Sequence, residues 1–190
     1  MEQMGMRMDV ESAITDWEDD QKDAVHQMID EYGDPDEVTG NHIFWYNRGP
    51  WKRITAHKMR ASHRFPMPHM DFLEQTINYQ VPPDMADELA KFDGSILFDR
   101  TRGEMSARCH QEAMNLLALN LADDIVQGKR SVEDARVEYG RTAMSQMMGE
   151  KPDYTQRLMF AVPTETADRD EMVIAESAWE TIKEKMRKIA

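Results

Sequence analysis

Three histidines and an aspartate crowd into fifteen residues of this chain: His57, His63, His69 and Asp71. Imidazole nitrogens and carboxylate oxygens are ligands for zinc or iron, and two histidines with one carboxylate make the facial set of non-haem iron. The set points to a divalent-metal site and, with it, to a metal-dependent enzyme. Its spacing is not that of HExxH, and Pro66 and Pro68 stand among the ligands. The plainer reading is a basic loop whose histidines make hydrogen bonds.

Cys109-His110 is a second candidate, because a thiol activated by a histidine is a nucleophile. Strand alternation sends neighbouring side chains to opposite faces, so the two are not expected to meet. A lone cysteine beside Ala107 reads as a small buried apolar residue. It excludes an intrachain disulfide and any multi-cysteine zinc or iron–sulfur site. Met1, Met4, Met6 and Met8 offer soft thioethers suited to Cu(I), but most of the 17 methionines fall where packing gaps need filling. The turn Arg100-Thr101-Arg102-Gly103 is basic and matches neither phosphate-loop nor dinucleotide patterns. No G-x-S-x-G, CxxC or EF-hand loop is present.

Charge singles out the same region. Residues 1–40 carry 13 acids and two bases, residues 41–70 six bases and no acid, and residues 71–190 carry 23 acids and 15 bases; the net charge is −13. The basic block also holds Phe44, Trp45, Tyr46, Trp51 and Phe65. Arg60, Arg64, Trp45 and Trp51 are therefore the residues expected to bind an anion or nucleic acid, if the block binds one. The overall acidity argues against nucleic acid as the main partner. The simpler expectation is that the acidic N-terminal helix neutralises the block within the fold.

The elements that position these groups follow from periodicity. Residues 9–32 read as one amphipathic helix, with Val10, Ile14, Trp17, Ala24, Met28 and Tyr32 near one stripe. Residues 42–48 and 51–58 read as a hairpin across Gly49-Pro50, and residues 59–71 as an irregular or polyproline-like loop. Residues 72–81 alternate, with Leu73, Ile77, Tyr79 and Val81 on one face. A short helix over 84–91 and a second hairpin, 95–100 with 104–109, follow. Helices are expected over 110–127 and 131–148, the latter opened by a capping box at Ser131-Asp134. RLMFAV, residues 157–162, reads as a short strand. A last helix runs from Asp168, and its seam of Met172, Ala175, Trp179, Ile182, Met186 and Ile189 has heptad spacing.

Runs of strands followed by runs of helices predict an α+β fold. Its antiparallel sheet has four to five strands, helices pack on one face, and amphipathic helices lie at both ends. One domain spans 1–190: an acidic helical segment (1–40), a sheet region (41–109) and a mainly helical region (110–190). No stretch is apolar enough to span a membrane, and the acidic N-terminus does not resemble a secretory signal. The expectation is a cytoplasmic, non-enzymatic binding or interaction protein that holds either a protein partner or a second copy of itself through Met172, Trp179, Ile182 and Met186. The alternatives are the metal enzyme of the 57–71 loop and anion or nucleic-acid binding by residues 42–64.

Overall fold

The computed structural model describes residues 9–189. The fold is α+β: one six-stranded antiparallel sheet with helices packed against it. The strands are β1 (Glu37–Val38), β2 (His42–Arg48), β3 (Trp51–His63), β4 (His69–Asn78), β5 (Ile96–Asp99) and β6 (Glu104–Cys109), in the order β1-β2-β3-β4-β6-β5. The sixth strand beyond the expected four to five is β1, a two-residue edge pairing with Phe44 and Ile43.

The helices are α1 (Val10–Ile14), α2 (Asp19–Tyr32), α3 (Ala86–Phe92), α4 (Glu112–Val126), α5 (Val132–Met147) and α6 (Glu176–Arg187). The single helix expected over 9–32 is divided. Asp9 caps α1 by accepting the Ser12 amide, and a reciprocal capping box between Glu18 and Gln21 starts α2 afresh. Trp17, in the link, is buried.

β4 shows how the core is built. Leu73, Gln75 and Ile77 share one face, and the Gln75 amide reaches both Met28 of α2 and Glu112 of α4. Both helices therefore cover the same side of the sheet. Ile54, Ala56, Met105 and Ala107 complete that inner face, all buried. α4 is buried on most of its surface, between the sheet and α5, as its wide leucine stripe requires. Ser131 caps α5 by accepting the Asp134 amide. The outer face is polar: Glu104 pairs with Lys52 at 2.9 Å and Arg53 at 3.3 Å, while Glu74 lies beside His57 and Arg108.

Three local expectations need correction. β3 runs on to His63 and β4 starts at His69, so only residues 64–68 form the proline loop, in place of 59–71. Residues 157–162 are not a strand; Asn120 of α4 takes over their neighbourhood's backbone bonds, accepting from the Met159 amide and donating to the carbonyls of Tyr154 and Arg157. The last helix starts at Glu176, leaving Met172 and Ala175 ahead of it. The N-terminal methionine cluster lies outside the described residues. No helix is long and apolar enough to cross a membrane among the residues described.

Candidate metal centre

The centre forms where β3, β4 and β6 end together on the inner face. In the first half of β3 the inward residues are even-numbered: Ile54 pairs with Gln75 and Ala56 with Leu73. The next pairing is Ala61 with Asp71, so β3 advances five residues while β4 advances two. Three extra residues reverse the alternation. Beyond the bulge, odd-numbered residues face inward, and His63 stands opposite His69. The carbonyls exposed at the bulge are not orphaned: the buried Gln21 amide donates to the His57 oxygen at 2.7 Å and the Lys58 oxygen at 3.0 Å. Register then brings Cys109 of β6 opposite Leu73, on the same inner face as Asp71.

Asp71 is the hub. It is 1% exposed. Its Oδ2 accepts a short bond from the Ser95 hydroxyl and lies 3.2 Å from His63 Nδ1. Its buried Oδ1 forms an ion pair with His69 Nε2 at 2.9 Å. The His69 nitrogen is aligned on Cys109 Sγ at 3.4 Å, and that sulfur lies 3.4 Å from His110 Nδ1. The other nitrogen of His69, Nδ1, bonds the Met67 carbonyl at 2.8 Å, which fixes the ring. Further out, Asp93 caps its own turn by accepting the Ser95 amide and lies 3.6 Å from His63 Nε2. Phe65 leans on Tyr139 and Phe92, with the Arg136 guanidinium 3.9 Å above its ring.

The electrostatics follow from this crowding. The Asp71 carboxylate and the Cys109 sulfur together push the His69 imidazole up to about 11, against the effect of burial. Burial opposes ionisation of Asp71, but His69, the Ser95 hydroxyl and His63 hold its carboxyl below the usual range. Burial drives Asp93 the other way, above that range, despite the Ser95 amide and His63. Burial and the neighbouring His69 charge keep His110 below the ordinary imidazole value, so its ring is neutral near pH 7. Burial, with Cys109 and the two aspartates, raises the Tyr139 hydroxyl well above the ordinary phenol value.

Donor atoms therefore crowd around His69 Nε2 in two overlapping groups. The ligand atoms of His69, Cys109 and His110 all lie within 4.8 Å of one another, as do those of His63, His69 and Asp71. Around a tetrahedral zinc, bond lengths near 2.0–2.3 Å place neighbouring ligand atoms roughly 3.3–3.7 Å apart. The His69–Cys109 and Cys109–His110 separations, both 3.4 Å, fit that spacing. A cation held by His69, Cys109 and His110 would take the place of the proton that His69 Nε2 now shares with the sulfur and the Asp71 carboxylate.

Of the expected ligands, the structure brings His63, His69 and Asp71 together and leaves His57 out. His57 lies at the start of the bulge on the outer face, 3.6 Å from Glu74 and edge-on to His42. Cys109 and His110 do meet, contrary to the alternation argument, because β6 ends at Cys109 and His110 already belongs to the bend before α4. Asp93, Ser95 and Tyr139 were not visible as partners, since they arrive from other elements.

The expected anion-binding residues do not converge. Arg60 pairs with Asp20 at 2.6 Å, Lys58 with Asp16 at 2.5 Å and Arg48 with Asp36 at 3.0 Å. The N-terminal acids thus neutralise much of the basic block. Arg64 is exposed on the proline loop. Trp45 and Trp51 are core residues; their indole nitrogens donate to the Gly33 carbonyl and to Glu112. Comparison with known protein families, with curated proteins and with solved structures gives no match.

Proposed function

We propose that this is a metal-binding protein that holds one thiophilic divalent ion, zinc foremost, through His69 Nε2, Cys109 Sγ and His110 Nδ1, with the Asp71 carboxylate beside His69. The observation that carries this reading is the mutual approach of His69 Nε2, Cys109 Sγ and His110 Nδ1, all within 4.8 Å of one another beside the buried Asp71 carboxylate. The surroundings are those a ligand set needs. The Met67 carbonyl orients His69, while Ser95 and His63 hold the other oxygen of Asp71. Mixed nitrogen and sulfur donors suit zinc.

The test is elemental analysis of the protein prepared without a histidine tag and dialysed against zinc, then against buffer. One zinc per chain is expected, lost in Cys109→Ser and in His69→Ala and kept in His57→Ala. Cobalt in its place should give thiolate-to-metal charge-transfer absorption that Cys109→Ser abolishes. Wild-type protein without stoichiometric metal, or a Cys109→Ser variant that still binds it fully, would refute the reading.

A further inference from the structure

We propose that α6 pairs with the same helix of a second copy of this chain, antiparallel, across a two-fold axis between Trp179 and Ile182. The proposal is independent of the metal centre. α6 has no buried residue, and Trp179, Ile182 and Met186 are 41%, 40% and 62% exposed. A twelve-residue helix is marginal in water by itself, and its stability ordinarily comes from packing an apolar face. Nothing in the described part of the chain covers this face.

The seam favours another helix as the cover. Trp179, Ile182 and Met186 step by three and four within α6, the spacing that keeps one stripe facing a partner helix, and Ala175 and Ile189 continue it just beyond the two helix ends. Charge then selects the second copy and its direction. Glu176 and Glu180 lie in the first half of α6, and Lys183, Lys185, Arg187 and Lys188 in and just beyond the second. The one acid among those bases, Glu184, is paired within its own helix, 3.0 Å from Lys188. A parallel pair would set like charges side by side. An antiparallel pair sets the acidic half of each helix against the basic half of the other and opposes the two helix dipoles. Trp179 then meets the partner's Ile182, and Ala175 meets the partner's Met186. A membrane surface is the weaker occupant: residues 168–189 hold six acids against five bases, without the cationic excess that anionic lipid attracts.

The competing seat within the chain is the exposed stripe of α5, including Val137, Met144 and Met148. Sedimentation equilibrium of the full chain over a concentration series separates the two. The expected result is a monomer–dimer equilibrium that Trp179→Asp shifts to monomer at every concentration and Met144→Asp leaves unchanged. Trp179 is at the surface, so its variant should keep the core, and unchanged zinc content and near-ultraviolet dichroism from the remaining tryptophans check this. Orientation is read by oxidative cross-linking, with buried Cys109 left in place. Ala175→Cys mixed with Met186→Cys should give the mixed disulfide, and neither variant alone should cross-link. A chain that is monomeric throughout, dimerisation lost in Met144→Asp but not in Trp179→Asp, or self-cross-linking of Met186→Cys would each overturn the proposal.

Discussion

His57 and His63 lie six residues apart on one strand and face opposite sides of the sheet. Six is an even step, so an unbroken strand would place both rings on one face. The three-residue bulge between Ala56 and Ala61 reverses the alternation, sending His57 out to Glu74 and His63 in to Asp71. The candidate metal centre therefore rests on the side chain that secures the bulge, and that side chain is Gln21.

Replacing Gln21 with leucine keeps the volume, removes the amide group that donates to the His57 and Lys58 carbonyls, and takes from the α2 capping box the oxygen that accepts the Glu18 amide. Two backbone oxygens would then lose partners in a largely buried place, at a cost of about 1–3 kcal/mol. Urea unfolding should show that loss of stability. Zinc affinity should fall as well, because the register that sets His63 beside Asp71 loosens. The Lys58–Asp16 pair, exposed to solvent, should matter little, and Asp16→Asn is expected to change neither quantity measurably.

Metal binding should also appear as thermal stabilisation. A ligand that binds only the folded state, present at a hundredfold excess over Kd, adds about 2.7 kcal/mol. For a chain of this size that is a rise in Tm of roughly 5–11 °C. Calorimetry with and without zinc should show the rise in wild-type protein and in His57→Ala, and its absence in Cys109→Ser. An equal rise in Cys109→Ser would mean that the added zinc binds elsewhere.

The polar outer face gives a pH dependence of its own. Burial opposes ionisation of Glu74, but His57, the Ser106 hydroxyl at 3.2 Å and Arg108 outweigh it and hold the carboxyl below the ordinary glutamate value. A carboxyl depressed in the folded state binds its proton more readily when unfolded. Its contribution is therefore present in full above the unfolded value, about 4.3, and is lost as pH falls from there through the folded value. Urea midpoints measured from neutral pH downward should fall less steeply in Glu74→Gln than in wild-type protein across that acid range. Parallel curves would show that Glu74 has no share in acid sensitivity.

Much of this architecture was legible because it rests on local rules. The alternation of Leu73, Ile77 and Tyr79 marks β4, the wide leucine stripe marks α4, and Ser131 marks the start of α5. The pairing of basic segment with acidic helix was legible from charge alone. The site was only half legible. His63, His69 and Asp71 stand close in sequence, but admitting His63 and excluding His57 requires a bulge whose support, Gln21, comes from another helix. Cys109 and His110 were visible as a pair, yet their link to His69 depends on the pairing of β4 with β6. Asp93 and Ser95 reach the centre through the turn between α3 and β5, and no spacing in the sequence announces that turn.

The segment 154–159 shows how one buried side chain can outweigh local propensity. RLMFAV has the composition of a strand, but no neighbouring strand offers it a ladder. Asn120 does so in miniature: its amide donates to the Tyr154 and Arg157 carbonyls at 3.0 and 2.8 Å, and its oxygen accepts the Met159 amide at 2.7 Å. Asn120 is 1% exposed, so water cannot readily substitute. Asn120→Leu is similar in volume and offers none of the three bonds. It should cost about 2–4 kcal/mol, since each backbone group left unsatisfied in a buried place costs about 1–3 kcal/mol and part of the strand-like segment can swing out to water. Amide hydrogen exchange should then accelerate at Met159 and its neighbours while the sheet amides of β4 and β6 keep their protection relative to one another. If Met159 exchanges at the wild-type rate in the variant, the segment is held by the packing of Phe160 against Tyr79, and the asparagine is dispensable.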